Sequence, residues 1–219
     1  MTATLSKTEL WQLIHDQRRR VADVLETLSD DQWNAASLCT GWRVRDVAAH
    51  NIETFLMTPP RFIGRFVGAG FNFDRMTGRG VDNHRDEPLT RLLAQYRDTE
   101  DRSTAPPGPQ LAWLGEAVIH GEDIARPLQL RMDWPAQALT LVLDYVSSTK
   151  PLLHGRERAE GIRLRATDVE WTKGDGAEVS GPARALISAM CGRSAALSDL
   201  GGDGLETLRG RMPAAAAPA

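Results

Sequence analysis

Apolar residues recur along this chain at helical spacing, in stretches separated by turns rich in proline, glycine and aspartate. From about Lys7 to Leu28, the residues Leu10, Ile14, Val21, Val24, Leu25 and Leu28 share one face while charges fill the other, which predicts a long amphipathic helix ended by Ser29-Asp30-Asp31. Trp33 and Trp42 then bracket a polar connector holding Cys39 and the turn-forming pair Thr40-Gly41. A second helix is predicted from about Val44 to Met57 and stops at Pro59-Pro60, because proline lacks the amide donor and crowds the preceding turn. Pro88 opens a third, with Leu89, Leu92, Leu93 and Tyr96 on one side, and a fourth runs from about Gln110 to Ala125.

Between the second and third helices, Thr58 to Asp86 holds five glycines, five arginines and four phenylalanines without sustained periodicity. It reads as a long crossover with one short helix near Phe62 to Val67, and loops of that length in a compact domain are usually functional or poorly ordered. Connections that run short, long, short are those of a four-helix bundle in which one crossover makes the middle helices parallel. After Pro135 a fifth helix carries Leu139, Val142, Leu143 and Val146. Ile162 to Ala166 then alternates with period two, as a half-buried strand does. Weaker strands are expected at Val169 to Thr172 and around Glu178-Val179, and a helix from Pro182 carries Ala185, Leu186, Ala189 and Met190. The expected organisation is mainly α: a bundle over residues 1–150, a small α/β module over 151–212, and a disordered tail over 213–219.

Composition narrows the class. In 219 residues, 42% are hydrophobic and 25% charged, which is ordinary for a globular protein. A net charge of -3 without a basic stripe argues against a nucleic-acid surface. Arg18-Arg19-Arg20 lies among Asp16, Asp23 and Glu26 and reads as a solvated helix face, and His15 and His84 are likewise expected in solvent. With only Cys39 and Cys191, no disulfide framework is expected and a reducing, cytoplasmic setting follows. No signal peptide and no membrane span of about 18 apolar residues are found. The expected assembly is a monomer or homodimer.

The candidate chemistry lies in two distant segments. Glu116 and His120, four apart on the fourth helix, stand on one face within roughly 6 Å at Cβ. They sit at the border of a core side marked by Leu111, Leu114, Val118 and Ile124, where an unpaired carboxylate would be costly unless neutralised or coordinated. His50, on the flank of the second helix, could be the third prong. Two histidines and one carboxylate with an open fourth position suit a catalytic divalent metal such as zinc. Cys39, near the mouth of the second helix, offers a rival as a protein thiol nucleophile.

The runs Cys39-Thr-Gly-Trp-Arg-Val-Arg-Asp-Val-Ala-Ala-His50 and Gly115-Glu-Ala-Val-Ile-His120-Gly-Glu-Asp123-Ile-Ala-Arg-Pro127-Leu resemble the two signature segments of the mycothiol-dependent maleylpyruvate isomerase family, within the DinB-like superfamily of metal-binding four-helix bundles. The stretch Ile162 to Arg193, with Ala166-Thr-Asp168, Trp171, Gly174-Asp-Gly176, Val179-Ser-Gly181-Pro and Cys191-Gly-Arg193, is similar to the smaller module of those proteins. The resemblance implies that His50, Glu116 and His120 hold the zinc, that Asp123 orients an imidazole, that Arg193 lies near the substrate, and that mycothiol is the thiol co-substrate. A cation so held lowers a thiol pKa from about 8.5 toward neutrality. The thiolate could then transfer to a small electrophile or isomerise it by addition, bond rotation and elimination. A thiol-independent metal hydrolase and a non-catalytic binding bundle are the alternatives.

Overall fold

The computed structural model describes residues 5–150 and 153–213. Its internal contacts divide the chain into two compact units, Met1–Asp133 and Trp134–Ala219. The first unit comprises α1 (Lys7–Glu26), α2 (Asp30–Asn34), α3 (Val44–Phe55), α4 (Pro59–Gly68), α5 (Phe73–Asp82), α6 (Leu89–Thr99) and α7 (Gln110–Ala125).

Helices α1, α3, α6 and α7 form the bundle. Ser6 starts α1 with a capping box, its hydroxyl accepting from the Glu9 amide while Glu9 accepts from the Ser6 amide. Asp46 does similar work for α3: it accepts from the Arg43 amide at 2.9 Å and holds the Arg43 guanidinium through both carboxylate oxygens. Side-chain register gives the directions. Arg45 donates to the Glu87 carbonyl and Asn51 faces Tyr96, so α3 and α6 run parallel, as expected from the long crossover. Thr54 reaches Glu116 while Leu38, before α3, donates to the Asp123 carbonyl, so α3 and α7 run antiparallel. The core between them is built from Ile14, Leu25, Val47, Ile52, Phe55, Leu92, Tyr96, Leu114 and Val118, all buried.

Three expectations for this unit are corrected. The crossover is helical over two segments, α4 and α5, not one. α4 buries none of its residues and α5 buries only Met76, Gly80 and Val81. Gly80 lies on the face of α5 that meets the Glu53 side chain of α3. His84 is not solvated: it is only 10% exposed, with Nε2 donating to Glu53 at 3.2 Å and Nδ1 lying 3.3 Å from Glu87. Burial opposes the Glu53 charge, but Arg65 and His84 hold that carboxyl below its usual range.

Arg18 also departs from the solvated face expected of the arginine run. It is 1% exposed, its guanidinium lies 3.8 Å over the Phe55 ring, and Nη1 donates to the Arg102 carbonyl at 2.7 Å. Burial pushes its pKa down to about 10, against the pull of Tyr96, Glu116 and Asp101. A guanidinium is the cation best suited to such a site, being planar, delocalised and weakly hydrated.

The second unit contains α8 (Ala136–Val146), α9 (Gly155–Ala159), β1 (Ile162–Ala166), β2 (Thr172–Lys173), β3 (Ala177–Gly181), α10 (Ala183–Met190), a 3-10 helix (Ser194–Asp199) and α11 (Leu205–Arg209). The sheet order is β2-β1-β3, with β1 antiparallel to β2 and parallel to β3, Leu164 opposing both Lys173 and Val179. Ile162, Leu164 and Ala166 face inward, as the alternation in the sequence requires. The boundary falls at Asp133 and not at residue 150, because α8 packs on α10 and shares its core. The tail expected to be disordered lies, from residue 214 onward, outside the described residues.

Gly155 marks a close approach within this unit: a Cβ there would lie 1.9 Å from the Val146 carbonyl oxygen, a backbone atom that cannot swing aside. Gly155→Ala is expected to cost about 2–4 kcal/mol and lower the unfolding midpoint by roughly 5–15 °C. Gly201→Ala, where a Cβ meets nothing within 4 Å, should stay near wild type by the same thermal melt.

Candidate metal centre

Helix α7 is buried almost all round. From Trp113 to Ala125 only Trp113, Glu116 and His120 are not buried, and their spacing places them on one stripe. Across that stripe lies α3, which presents His50 and Thr54. His50 Nε2 donates to Glu116 Oε1 at 2.8 Å, His120 Nε2 lies 3.5 Å from the same oxygen, and the Thr54 hydroxyl donates to it at 3.5 Å. The two imidazoles meet edge to face with centroids 5.0 Å apart. One ligand atom from each of His50, Glu116 and His120 lies within 4.8 Å of the others. The structure therefore brings together all three residues expected as prongs of the tripod.

The connector before α3 completes the surroundings. Gly41 at φ 78° makes its turn, closed by the Trp42 amide donating to the Cys39 carbonyl at 2.9 Å. The Leu38 amide donates to the Asp123 carbonyl at 3.1 Å, which ties the connector to the last turn of α7. Trp42 thereby packs on His50 with ring centroids 5.2 Å apart. Cys39 Sγ donates to Asp123 Oδ2 at 3.1 Å and lies 3.7 Å from His120 Nδ1. It joins the carboxylate that faces His120, a position its sequence neighbourhood did not reveal.

Asp123 is 1% exposed and accepts from His120 Nδ1 at 3.0 Å. That bond keeps the proton of a neutral imidazole on Nδ1 and leaves the Nε2 lone pair facing Glu116 and His50. The donor set, two imidazole Nε2 atoms and one carboxylate oxygen converging at a partly exposed stripe, fits a divalent cation that keeps a position for an exogenous ligand. Without a cation the same groups balance one another. Burial opposes charge on Glu116, but His120 and His50 hold its carboxyl well below the usual range; burial also opposes charge on His120, yet Glu116, Asp123 and Cys39 hold it well above the usual range.

Arg193, the expected substrate residue, belongs to the second unit, where its Nη1 donates to the Cys191 carbonyl at 2.8 Å. Thr54 and Trp42 were missed by sequence reasoning. Trp42 stands in the quoted signature and Thr54 four residues after His50, but neither side chain is a metal ligand, so ligand spacing could not single them out.

The profile of the mycothiol maleylpyruvate isomerase N-terminal domain matches residues 14–109. Residues 14–109 are thus similar to the N-terminal domain of that family. The match to that family takes in His50 and its connector, and ends before Glu116 and His120. Two solved structures share the fold over 95% of this chain and 95% of their own. One is a crystal structure of a histidine-to-alanine mutant of mycothiol-dependent maleylpyruvate isomerase, at TM-score 0.60 and 13% identity. The other is a crystal structure of the mycothiol-dependent maleylpyruvate isomerase, at TM-score 0.55 and 16% identity. Comparison with curated proteins returns no match. No described helix is long and apolar enough to cross a membrane.

The charge balance of the metal-free centre predicts a pH profile. The raised His120 contributes stability that is full below 6.5 and lost as pH rises through its elevated folded value; the depressed Glu116 contributes stability present above 4.5 and lost as pH falls through its lowered value. Denaturant midpoints of metal-stripped protein should therefore be highest between these limits. Glu116→Gln should flatten the alkaline decline, and an identical alkaline slope in both proteins would contradict the pairing.

Proposed function

We propose that the chain is a metal-dependent enzyme that activates a low-molecular-weight thiol, mycothiol, for cis-trans isomerisation of, or S-transfer to, a small electrophile. The observation that carries this reading is the convergence of His50, Glu116 and His120 on a largely buried stripe, in a chain whose residues 14–109 are similar to this family's N-terminal domain. A divalent cation, zinc by the type of its donors, would hold the thiol sulfur as thiolate near neutral pH. The chain's own residues prepare that state. Asp123 fixes the His120 tautomer, Trp42 braces the His50 ring, and the Thr54 hydroxyl accompanies the carboxylate of Glu116.

In the isomerisation, sulfur adds to one carbon of a double bond conjugated to a carbonyl, and the electron pair moves onto the carbonyl oxygen. The former double bond rotates as a single bond. Expulsion of the thiolate restores the double bond in the trans geometry, so no atom is gained or lost. Arg193 is assigned to the electrophile's anionic group, a role suited to a guanidinium.

Metal content and thiol-dependent turnover of a cis-unsaturated oxo acid should rise and fall together. His50→Ala and His120→Ala are expected to lose both, whereas Asp123→Asn should lower metal affinity or activity about 10–100-fold. Arg193→Ala should lower kcat/KM with metal content unchanged. Turnover that proceeds equally well without any thiol would replace this reading with a hydrolase.

A further inference from the structure

His120 carries two ring nitrogens, and the tripod uses one of them. Nε2 faces Glu116, whereas Nδ1 faces a second set of donors, Cys39 Sγ at 3.7 Å and Asp123 Oδ2 at 3.0 Å. Cys39 Sγ and Asp123 Oδ2 lie 3.1 Å from each other. A thiol, an imidazole and a carboxylate therefore converge along the opposite edge of the His120 ring.

The dimensions suit a cation. Around a tetrahedral ion with sulfur at about 2.3 Å and nitrogen or oxygen at about 2.0–2.2 Å, neighbouring ligand atoms stand roughly 3.3–3.6 Å apart. The observed edges of 3.0, 3.1 and 3.7 Å bracket that range, so small side-chain shifts close the triangle on an ion. The ligands are also held in place. The Cys39 amide donates to the Ser37 hydroxyl oxygen at 3.1 Å, that hydroxyl donates to the Trp42 carbonyl at 2.8 Å, and the Leu38 amide is tied to the Asp123 carbonyl at 3.1 Å. Asp123 is buried, while Cys39 is partly exposed and gives an ion a way in from solvent.

The imidazole proton links this triad to the tripod. With the proton on Nδ1, donated to Asp123, the Nε2 lone pair serves the tripod. With the proton on Nε2, directed at Glu116 Oε1 3.5 Å away, the Nδ1 lone pair serves Cys39 and Asp123 instead. Filling both would require a ring stripped of both protons, so a neutral imidazole serves one ion at a time. The donor sets also differ in character, since the second has a thiolate where the tripod has an imidazole. Thiolate favours soft cations over hard ones.

We propose that Cys39, His120 and Asp123 form a second cation site, for a thiophilic metal ion such as Cu+ or Cd2+, whose occupation takes His120 away from the tripod. On binding, the Cys39 thiol releases its proton to solvent and the imidazole carries its proton on Nε2. The site stands on these three side chains alone; its consequence, loss of turnover, rests on the metal-dependent reading of the tripod.

The test reads the sulfur–metal bond directly. Full-length metal-free protein, with no low-molecular-weight thiol present, is titrated with Cd2+ and followed by the ultraviolet thiolate-to-cadmium charge-transfer band. A saturable band is expected. Cys39→Ser should abolish it, which also excludes Cys191 as its source, and Asp123→Asn should weaken Cd2+ binding at least about tenfold. His50→Ala and Glu116→Gln, each checked for fold by circular dichroism, should keep the band with an affinity within about threefold of wild type. A band lost in a folded tripod variant would put the ion in the tripod, and no band in wild type would mean that the thiol binds no ion. Either result overturns the second site and leaves metal-dependent thiol chemistry at the tripod intact. Protein loaded beforehand with zinc should release it as the band grows; a band that grows while the zinc stays bound overturns the exclusive sharing of His120. A Cys39-dependent band in a protein without thiol-dependent turnover supports the second site and overturns the catalytic reading.

Discussion

A carboxylate held between two imidazoles is the constraint around which the first unit is organised. Glu116 is largely removed from water, and an ionised carboxylate in that setting is tolerated only with paired charge or coordination. Its partners come from different places: His120 one turn along α7, and His50 and Thr54 from α3. The site therefore exists only if α3 and α7 pack antiparallel in a particular register. That register is fixed by apolar contact over Val47, Ile52, Leu114 and Val118 and by the Leu38–Asp123 backbone bond. Packing energy thus positions polar groups that would be unfavourable apart.

Around that centre the polar groups are arranged in successive rings of support. Asp123 holds His120 and is itself met by Cys39, while Trp42 packs at a tilt against His50. All three contacts come from, or are met by, one short connector whose turn depends on Gly41. The connector has an energetic reason to be where it is, since its amide satisfies an α7 carbonyl. Farther out, Glu53 receives Arg65 and His84 from the crossover, so the segment that looked unstructured is fastened to α3 one turn from His50. The likeness to the two isomerase structures, at 13% and 16% identity, is a likeness of fold.

Much of the architecture was legible because it depends on local periodicity. The bounds of α1, α3, α6, α7, α8 and β1 follow from apolar spacing, with Pro88 and Pro135 as boundary residues. The crossover was legible only in part: the helix expected near Phe62 to Val67 is present as α4, which leaves Ile63 and Val67 exposed, whereas α5 buries only Met76, Gly80 and Val81 and carries few large apolar residues. Arg18 was misread for a related reason. Its run of charges looks like a solvated face, and only the Phe55 ring and the Arg102 carbonyl waiting in the core show otherwise.

For the candidate site, the sequence alone determined that Glu116 and His120 share a face, because four residues of helix impose it, and that His50 stands on an amphipathic helix. Residue pattern could also suggest the family. What only the tertiary structure decided is that the three atoms meet and that Cys39 turns to Asp123. The reason is one of range. Helical geometry propagates over a few residues, whereas the meeting of residue 50 with residue 116 depends on the packing register of two helices, which no local rule specifies.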